Sequence, residues 1–561
     1  MINVSLIDSI SYPNESSSSE ASFEGIPNLI LITEKEYFEL KNAVGYWKSL
    51  HHRAREREDQ LKLELLAKDA ENRDLRQRVF GKKSEKRGSG RDQNKEKSAK
   101  STRPKGQQRN SKGHRRTQYP ELGVIDEKVS VAKKDGICPK CGKPYCSFGT
   151  EESEIIEIDV KAHKRRIIRE RKKKSCSCKN VAETVTAPPV PRIIPKSPYG
   201  ISIWVEILLN KFIYCQPTHR QLQTFKELGL PISAGTITGG LKKLVAVFEP
   251  VYNALYEHQM TEDRFHSDES SWKVFEAVEG KIGHQWWLWV SKSDSVVFFQ
   301  IATSRGADVP GQHFFAVESD KIILVCDRYS SYKAMAKQLE FITLAFCWAH
   351  VRRDFLDTAR KFPQLETWAL TWTEMIGDLY HINNQRCLHF NKELPVAAQS
   401  TDFTKYHCKL LKKMEQMCTE FESFLEQPGK NTTVENIVLH EAKEKVLTSL
   451  KNHWKGLSVF AQHPLVPMDN NFAERAVRNP VTGRKNYYGS GSIWSSELAA
   501  MLFSIFQTVK LWDLNCRHWL NVYLTACANN KGRAPEDLSS FLPWKMDENC
   551  LHGFSKPFNT S

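Results

Sequence analysis

The sequence predicts a multidomain α+β protein with a mixed α/β core, on three observations. Its 561 residues make roughly three to five domains at ~100–200 residues each. Strand-like apolar runs gather between residues 264 and 346, and long helix-like periodicities flank them on both sides. A hydrophobic share of 40% allows a sizeable core, and 26% charged residues is near the usual ~25%. Collagen, a wholly disordered chain and a small disulfide scaffold are therefore excluded. No stretch reaches the ~18 apolar residues of a membrane helix; the nearest, residues 201–215, is interrupted by Glu206, Asn210 and Lys211. Residues 1–20 are serine-rich, with no basic residue ahead of an apolar run, so no signal peptide is expected. Fourteen cysteines without regular spacing fit a reducing cytosol, where paired cysteines more often hold metal than form disulfides.

The net charge is +15, and it is unevenly spread. Residues 81–118 hold fourteen Lys/Arg against three acids, and residues 161–174 hold nine against Glu170 alone. Those two stretches carry +19, which leaves the remainder at −4. An excess of this kind points first to a nucleic-acid partner, since basic arms neutralise phosphates and release counterions.

The elements follow in order. After a disordered start (residues 1–33), residues 34–80 form a long helix. Its four-three steps place Leu40, Val44, Trp47, Ala54, Leu61, Leu65, Leu75 and Val79 on one seam. Two readings fit that seam: a coiled-coil, leucine-zipper-like dimer, or an amphipathic helix packed back on its own chain. The basic arm, 81–118, is rich in Ser, Gly, Gln and Asn and is expected to be disordered when free. Residues 119–187 read as a zinc-ribbon-like module. Cys138 and Cys141 have the two-residue gap of a metal knuckle, and Cys176 and Cys178 supply the second pair. Because that second gap is one residue, Cys146 or His163 stays open as a substitute ligand. Between the pairs, residues 151–171 alternate as in a β-hairpin.

Five prolines between 188 and 198 make a stiff spacer. Residues 188–260 then give helix, turn and helix: 201–214, 219–228, and a third helix N-capped by Ser233 with Ile237, Leu241 and Leu244 on one face. Helix-turn-helix DNA binding and an ordinary helical bundle both fit this pattern. From residue 261 to 354 the pattern turns to strands: 264–270, 272–278, 284–291, 296–301, 321–327 and 341–346. Antiparallel strands followed by strand–helix–strand suggest a mixed sheet of the ribonuclease-H-like kind. Residues 355–465 read as a helical insertion, 466–528 as the second part of the core with its acid-bearing helix, and 529–561 as a C-terminal tail.

Asp268 and Asp327 end strand-like runs, where an α/β sheet places its site. Carboxylates there suit Mg²⁺ or Mn²⁺, and a two-metal site needs a third acid. Glu474 is the best candidate, in Asp469-Asn-Asn-Phe-Ala-Glu474-Arg475-Ala-Val-Arg478. Asp469 or Asn470 would cap that helix, and Glu474 and Arg478 share a face at four-residue spacing.

These residues, taken together, resemble the insertion sequence 66 family of bacterial DDE transposases, the TnpC type, over about residues 34–528. Five stretches carry the resemblance. They are Phe80-Gly-Lys-Lys-Ser-Glu-Lys86; the cysteine module from Cys138 to Cys178; Asp268-Glu-Ser270; Cys326-Asp327 to Tyr332 with Cys347-Trp-Ala-His350-Val-Arg-Arg353; and the Asp469 to Arg478 run continuing through Gly483-Arg-Lys-Asn486 to Gly489-Ser-Gly-Ser492. Arg328 and Ser270 depart from the usual Gly and Thr. The resemblance implies a ribonuclease-H-like core with Asp268, Asp327 and Glu474 binding two Mg²⁺ (or Mn²⁺), a structural Zn²⁺ at the ribbon, and recognition of terminal repeats by the N-terminal modules. The function expected is metal-dependent DNA strand cleavage and strand transfer. Arg475, Arg478, Arg484 and Lys485 are expected at phosphates, with Arg165, Arg166, Lys172 and Lys173 of the ribbon on DNA. The partners expected are double-stranded DNA (element ends and target), a second copy or higher oligomer, and accessory proteins of the same element, in the cytoplasm and at the nucleoid of a bacterium. The alternatives are a non-catalytic DNA-binding regulator and a ribonuclease-H-like nuclease.

Overall fold

The computed structural model describes residues 32–80, 126, 139–141, 143–144, 156, 160–173, 175, 180, 182, 184–395, 398–427 and 433–556. Helix α1 (Glu34–Phe80) opens with a reciprocal cap: Glu36 N–H donates to Thr33 Oγ1 at 3.3 Å, and Thr33 N–H to Glu36 Oε2 at 2.8 Å. Leu40, Val44, Trp47, Leu61, Leu65 and Leu75 of the seam are all exposed. Only the C-terminal part docks, through buried Ala70, the Arg73 guanidinium on the Lys361 carbonyl at 2.7 Å, and the Lys361–Asp74 ion pair at 3.6 Å.

Strands β1 (Arg171–Lys173) and β2 (Thr184–Thr186) pair antiparallel, Lys172 opposite Val185. This differs from the hairpin expected over 151–171. Among the described residues 160–170 are not strand, and Val160, Ile167 and Ile168 are exposed because no core faces them. Arg165, Arg166, Lys172 and Lys173 are exposed, as is Cys141; Cys138, Cys146, Cys176 and Cys178 lie outside the described residues.

Helices α2 (Ile201–Phe212), α3 (Thr218–Glu227) and α4 (Ala234–Gln259) follow. Ser233 caps α4, accepting from Thr236 N–H at 3.1 Å. Gly240 is needed despite its low helix propensity, because a Cβ there would overlap the Trp204 ring. The helices of the expected DNA-binding region do not stand apart. Trp204, Leu208, Leu244 and Phe248 share one core with the sheet and with Phe503 and Tyr523 from later in the chain.

Five strands form the sheet: β3 (Arg264–Lys273), β4 (Gln285–Lys292), β5 (Val297–Ala302), β6 (Ile322–Cys326) and β7 (Ile342–Phe346), in the order β5-β4-β3-β6-β7. The first three are antiparallel neighbours; β6 runs parallel to β3, and β7 parallel to β6. Residues 272–278, expected as a separate strand, continue β3 to Lys273, since no turn residue separates them. Helices α5 (Asp308–Phe315) and α6 (Ser330–Gln338) make the crossovers. Alternation along β3 sends Phe265 into one core, with Phe314, Leu324 and Tyr332, and Trp272 into the other, with Leu288 and Phe503.

Helix α7 (Trp348–Lys361) leads to α8 (Glu366–Leu388), α9 (Thr401–Glu426), α10 (Val434–Leu457) and the short α11 (Val459–Gln462). This insertion packs against the β6–β7 side through Trp348, Phe355, Trp372, Leu450 and Phe460. The chain returns as α12 (Asn471–Tyr487), α13 (Ile493–Leu511), α14 (Cys516–Asn529) and α15 (Glu548–Ser555). Residues beyond 528, read from sequence as a tail, bury Phe541, Leu542 and Phe554 in the first core. No described helix is long and apolar enough to cross a membrane.

Candidate active site

Strand register sets the first two acids side by side. His266 pairs with Val325 in the parallel β3–β6 ladder, and both point to the same side of the sheet, His266 toward Asn470 and Val325 toward Val459 and Val466. Two residues further along each chain stand Asp268 and Asp327. Continuing that register therefore aligns them on adjacent strands, which lie about 4.8 Å apart. Asp327 follows the last residue of β6, where its Oδ1 accepts from Tyr329 N–H at 2.8 Å.

Glu474 approaches the same face from the first turn of α12. Asn470, in the N-cap position, fixes this approach. Its side-chain amide donates to the Ser267 carbonyl at 2.7 Å, its Oδ1 lies 3.2 Å from His266 Nδ1, and its backbone N–H donates to Cys347 Sγ at 3.2 Å. One buried asparagine thus ties α12 to β3 and to the end of β7. Asp469 supplies the side-chain turn, accepting from Asn471 N–H at 3.1 Å. The C-terminal end of β3 is held by Gly489 and Ser490: Ser490 N–H donates to the Lys273 carbonyl at 2.8 Å, and a Cβ at Gly489 would strike that same carbonyl. Trp272 Nε1 completes the clasp on Ser490 Oγ at 3.1 Å.

Burial pushes the Asp268 carboxyl up to about 7, and the negative charges of Glu269, Glu474 and Asp327 push in the same direction. A hydrogen bond from Glu269 N–H at 2.9 Å only partly opposes this. Glu474 Oε1 is buried without a hydrogen-bond partner among the described residues. An orphaned carboxylate oxygen and an acid raised by burial and by its like-charged neighbours both fit a divalent cation with oxygen ligands, which would supply the missing positive charge.

Glu269 faces the other way. Arg305 pairs with its Oε1 at 2.7 Å, and the Tyr332 hydroxyl donates to its Oε2 at 2.9 Å. Arg305 in turn lies 4.0 Å from the Tyr329 ring centre and 4.6 Å from that of Trp287. Sequence reasoning missed Arg305; the available signal was that two consecutive carboxylates on a buried strand must face opposite sides, so one of them needs its own cation.

The expected phosphate ligands divide. Arg475, Arg478 and Lys485 are exposed on α12, Arg475 resting 4.9 Å from the Phe472 ring centre. Arg484 is instead committed to the fold. Its guanidinium donates to the Ser271 carbonyl and hydroxyl and to Ser270 Oγ at 3.3 Å, which leaves it poorly placed for a phosphate. The substituted position Arg328 pairs with Asp354 and donates to Ser449 Oγ at 3.1 Å, so it stitches the insertion to the site loop.

The profile of the transposase IS66 family matches residues 196–498, over half of the chain, a span containing all three acids. The chain belongs to the transposase IS66 family. It is also similar to two uncharacterized proteins of Sinorhizobium fredii (strain NBRC 101917 / NGR234). With y4hP it shares 24% identity over 444 residues, 75% of each chain. With y4jD it shares 23% over 440 residues, 76% of this chain and 80% of the relative. Membership of this transposase family supports a DNA partner and metal-assisted chemistry on DNA.

Proposed function

We propose that this member of the transposase IS66 family is a DDE transposase that binds the ends of its mobile element, cuts a DNA strand there and joins it to target DNA. The observation that carries the reading is that Asp268 feels the negative charge of both Asp327 and Glu474, the aspartates coming from the adjacent parallel strands β3 and β6 and the glutamate from α12, which packs on β3. The strand order, three antiparallel strands followed by two parallel ones beyond β3, supports a ribonuclease-H-like core. Two Mg²⁺ (or Mn²⁺) held by these acids would supply activation of the attacking oxygen and charge stabilisation at the leaving one. The protein's own contribution is positional. Asn470 sets the reach of Glu474, the β3–β6 register sets the separation of the aspartates, and Arg484 with Ser490 holds the β3 end rigid. Arg475 and Arg478, which follow Glu474 closely on α12, and Lys485, about three turns along the helix from it, are exposed and would seat the phosphates flanking the scissile bond.

The basic residues Arg165, Arg166, Lys172 and Lys173 are proposed to track the DNA backbone. Cys138, Cys141, Cys176 and Cys178 are proposed to hold a structural Zn²⁺. The exposed seam of α1 is the proposed contact with a second copy, and the cytoplasm of a bacterium the proposed compartment. The experiment is cleavage of a labelled duplex carrying the element's inverted repeats. With Mg²⁺, strand cuts at the repeat ends leaving 3′-hydroxyls are expected, surviving an excess of unrelated DNA. Equal cutting of the unrelated DNA would favour a nuclease, and binding without cutting would favour a regulator.

A further inference from the structure

Cys347, His350 and Glu474 each bring one ligand atom to a common point, all within 4.8 Å of one another. Two of the three have a buried atom with nothing bonded to it among the described residues: His350 Nδ1 and Glu474 Oε1. Cys347 is fully buried at the N-cap of α7, and its sulfur receives the Asn470 N–H at 3.2 Å. The cysteine and histidine are three apart across the first turn of α7, so the helix fixes their relative position, and Glu474 comes from the facing helix α12. The orphaned atoms have no role in holding these helices together.

We propose that Cys347, His350 and Glu474 form a second metal site, selective for a borderline ion such as Zn²⁺, immediately beside the acids that suit Mg²⁺. The donor set is the reason for the selectivity. A thiolate and an imidazole favour zinc over magnesium, which prefers oxygen ligands and keeps its waters. Zn–S and Zn–N bonds of about 2.3 and 2.0 Å in a tetrahedron put ligand atoms about 3.5 Å apart, so the three side chains need to close by about 1 Å. Three protein ligands leave a fourth position open. Burial pushes the Cys347 thiol up and the Asn470 N–H on the sulfur opposes this only in part, so zinc binding would have to expel the thiol proton. Glu474 belongs to both sets, so zinc here would draw it away from Asp268 and Asp327 and inhibit cleavage. That consequence rests on the proposed catalytic role of Glu474, whereas the metal site itself does not.

The test strips the full-length protein of metal and titrates it with Co²⁺, a visible stand-in for Zn²⁺, alongside Cys347→Ser. Any cobalt held by the ribbon cysteines is common to both and cancels in the difference. The wild type is expected to bind about one more equivalent than Cys347→Ser, with a thiolate-to-cobalt band in the difference spectrum. Identical stoichiometry and spectra would overturn the site. Should Cys347→Ser fail to fold, His350→Gln at a half-buried position gives the same reading: cobalt affinity at least about tenfold weaker supports the site, and unchanged affinity overturns it. Added Zn²⁺ should inhibit Mg²⁺-driven cleavage by the wild type and spare Cys347→Ser. Failure to cleave with Mg²⁺ alone would contradict the transposase reading and leave the cobalt result standing.

Discussion

Asp268 and Glu269 are neighbours in sequence and carry the same chemical group, yet β3 sends them to opposite sides of the sheet and into opposite circumstances. Glu269 is answered by Arg305 and by the Tyr332 hydroxyl, and its side chain is only 2% exposed. Asp268 has one backbone N–H and a ring of acids, and no described basic side chain forms an ion pair with it. Burial raises the pKa of both, but only Glu269 has a cation inside the protein to oppose the shift. A carboxylate satisfied by its own fold holds structure together, and one left facing other carboxylates is the kind whose charge a cation from outside would neutralise.

The contrast can be broken at several points. The largest effect is expected on the unsatisfied side: Asp327→Asn and Glu474→Gln should each lower Mg²⁺-dependent strand cleavage by roughly 1,000-fold or more, with the circular dichroism spectrum unchanged. Either variant cutting at the wild-type rate would remove that acid from the set. On the satisfied side the damage should appear as stability. Arg305→Ala leaves Glu269 buried without its cation and should cost about 2–4 kcal/mol in denaturant unfolding, the lower end applying because Arg305 is partly exposed. An Arg305→Ala protein as stable as wild type would mean that the ion pair holds nothing.

A third expectation concerns pH. With its folded pKa raised to about 7 from the ordinary 3.8, Asp268 is easier to ionise in the unfolded chain than in the folded one. Its contribution therefore weakens the metal-free fold progressively as pH rises above about 4, and levels off above about 7. In a chelator, Asp268→Asn should raise Tm at pH 8 by a few degrees and leave it nearly unchanged at pH 4. Thermal melts at the two pH values check this, and an equal gain at both would contradict the cause assigned. The smallest effects belong to the exposed arginines. Arg475→Ala and Arg478→Ala should each weaken DNA binding and lower the slope of log affinity against log salt by about 1. Arg484→Ala should act instead on stability, since its hydrogen bonds go to Ser270 and Ser271.

Local pattern carried much of this molecule into view. The apolar runs at 285–292, 297–302, 322–326 and 342–346 are strands within a residue or two of where alternation and burial place them, and Ser233 caps α4 as its position before Ile237 predicts. Membership of the transposase IS66 family was equally legible, because its motifs are short and keep their order. What stayed hidden is long-range. No local signal says that His266 pairs with Val325, and that pairing is what aligns Asp268 with Asp327. Arg305, 36 residues from Glu269 in the chain, carries no mark of its partner. The seam of α1 reads as an interface from sequence, but in the single chain it stays exposed except where its end docks on α7 and α10. Beyond residue 528 the motifs stop, yet Phe541 and Phe554 still fill the core, because packing needs apolar volume rather than a motif.

The most direct measurement sets Asp268→Asn beside Glu269→Gln, each assayed for Mn²⁺ binding and for Mg²⁺-dependent cleavage of an element-end duplex. Asp268→Asn should lose both while folding normally. Glu269→Gln should keep Mn²⁺ binding and cleavage within about tenfold of wild type while unfolding at lower denaturant. Loss of metal and cleavage in Glu269→Gln, with both retained in Asp268→Asn, would contradict the assignment of the two faces of β3.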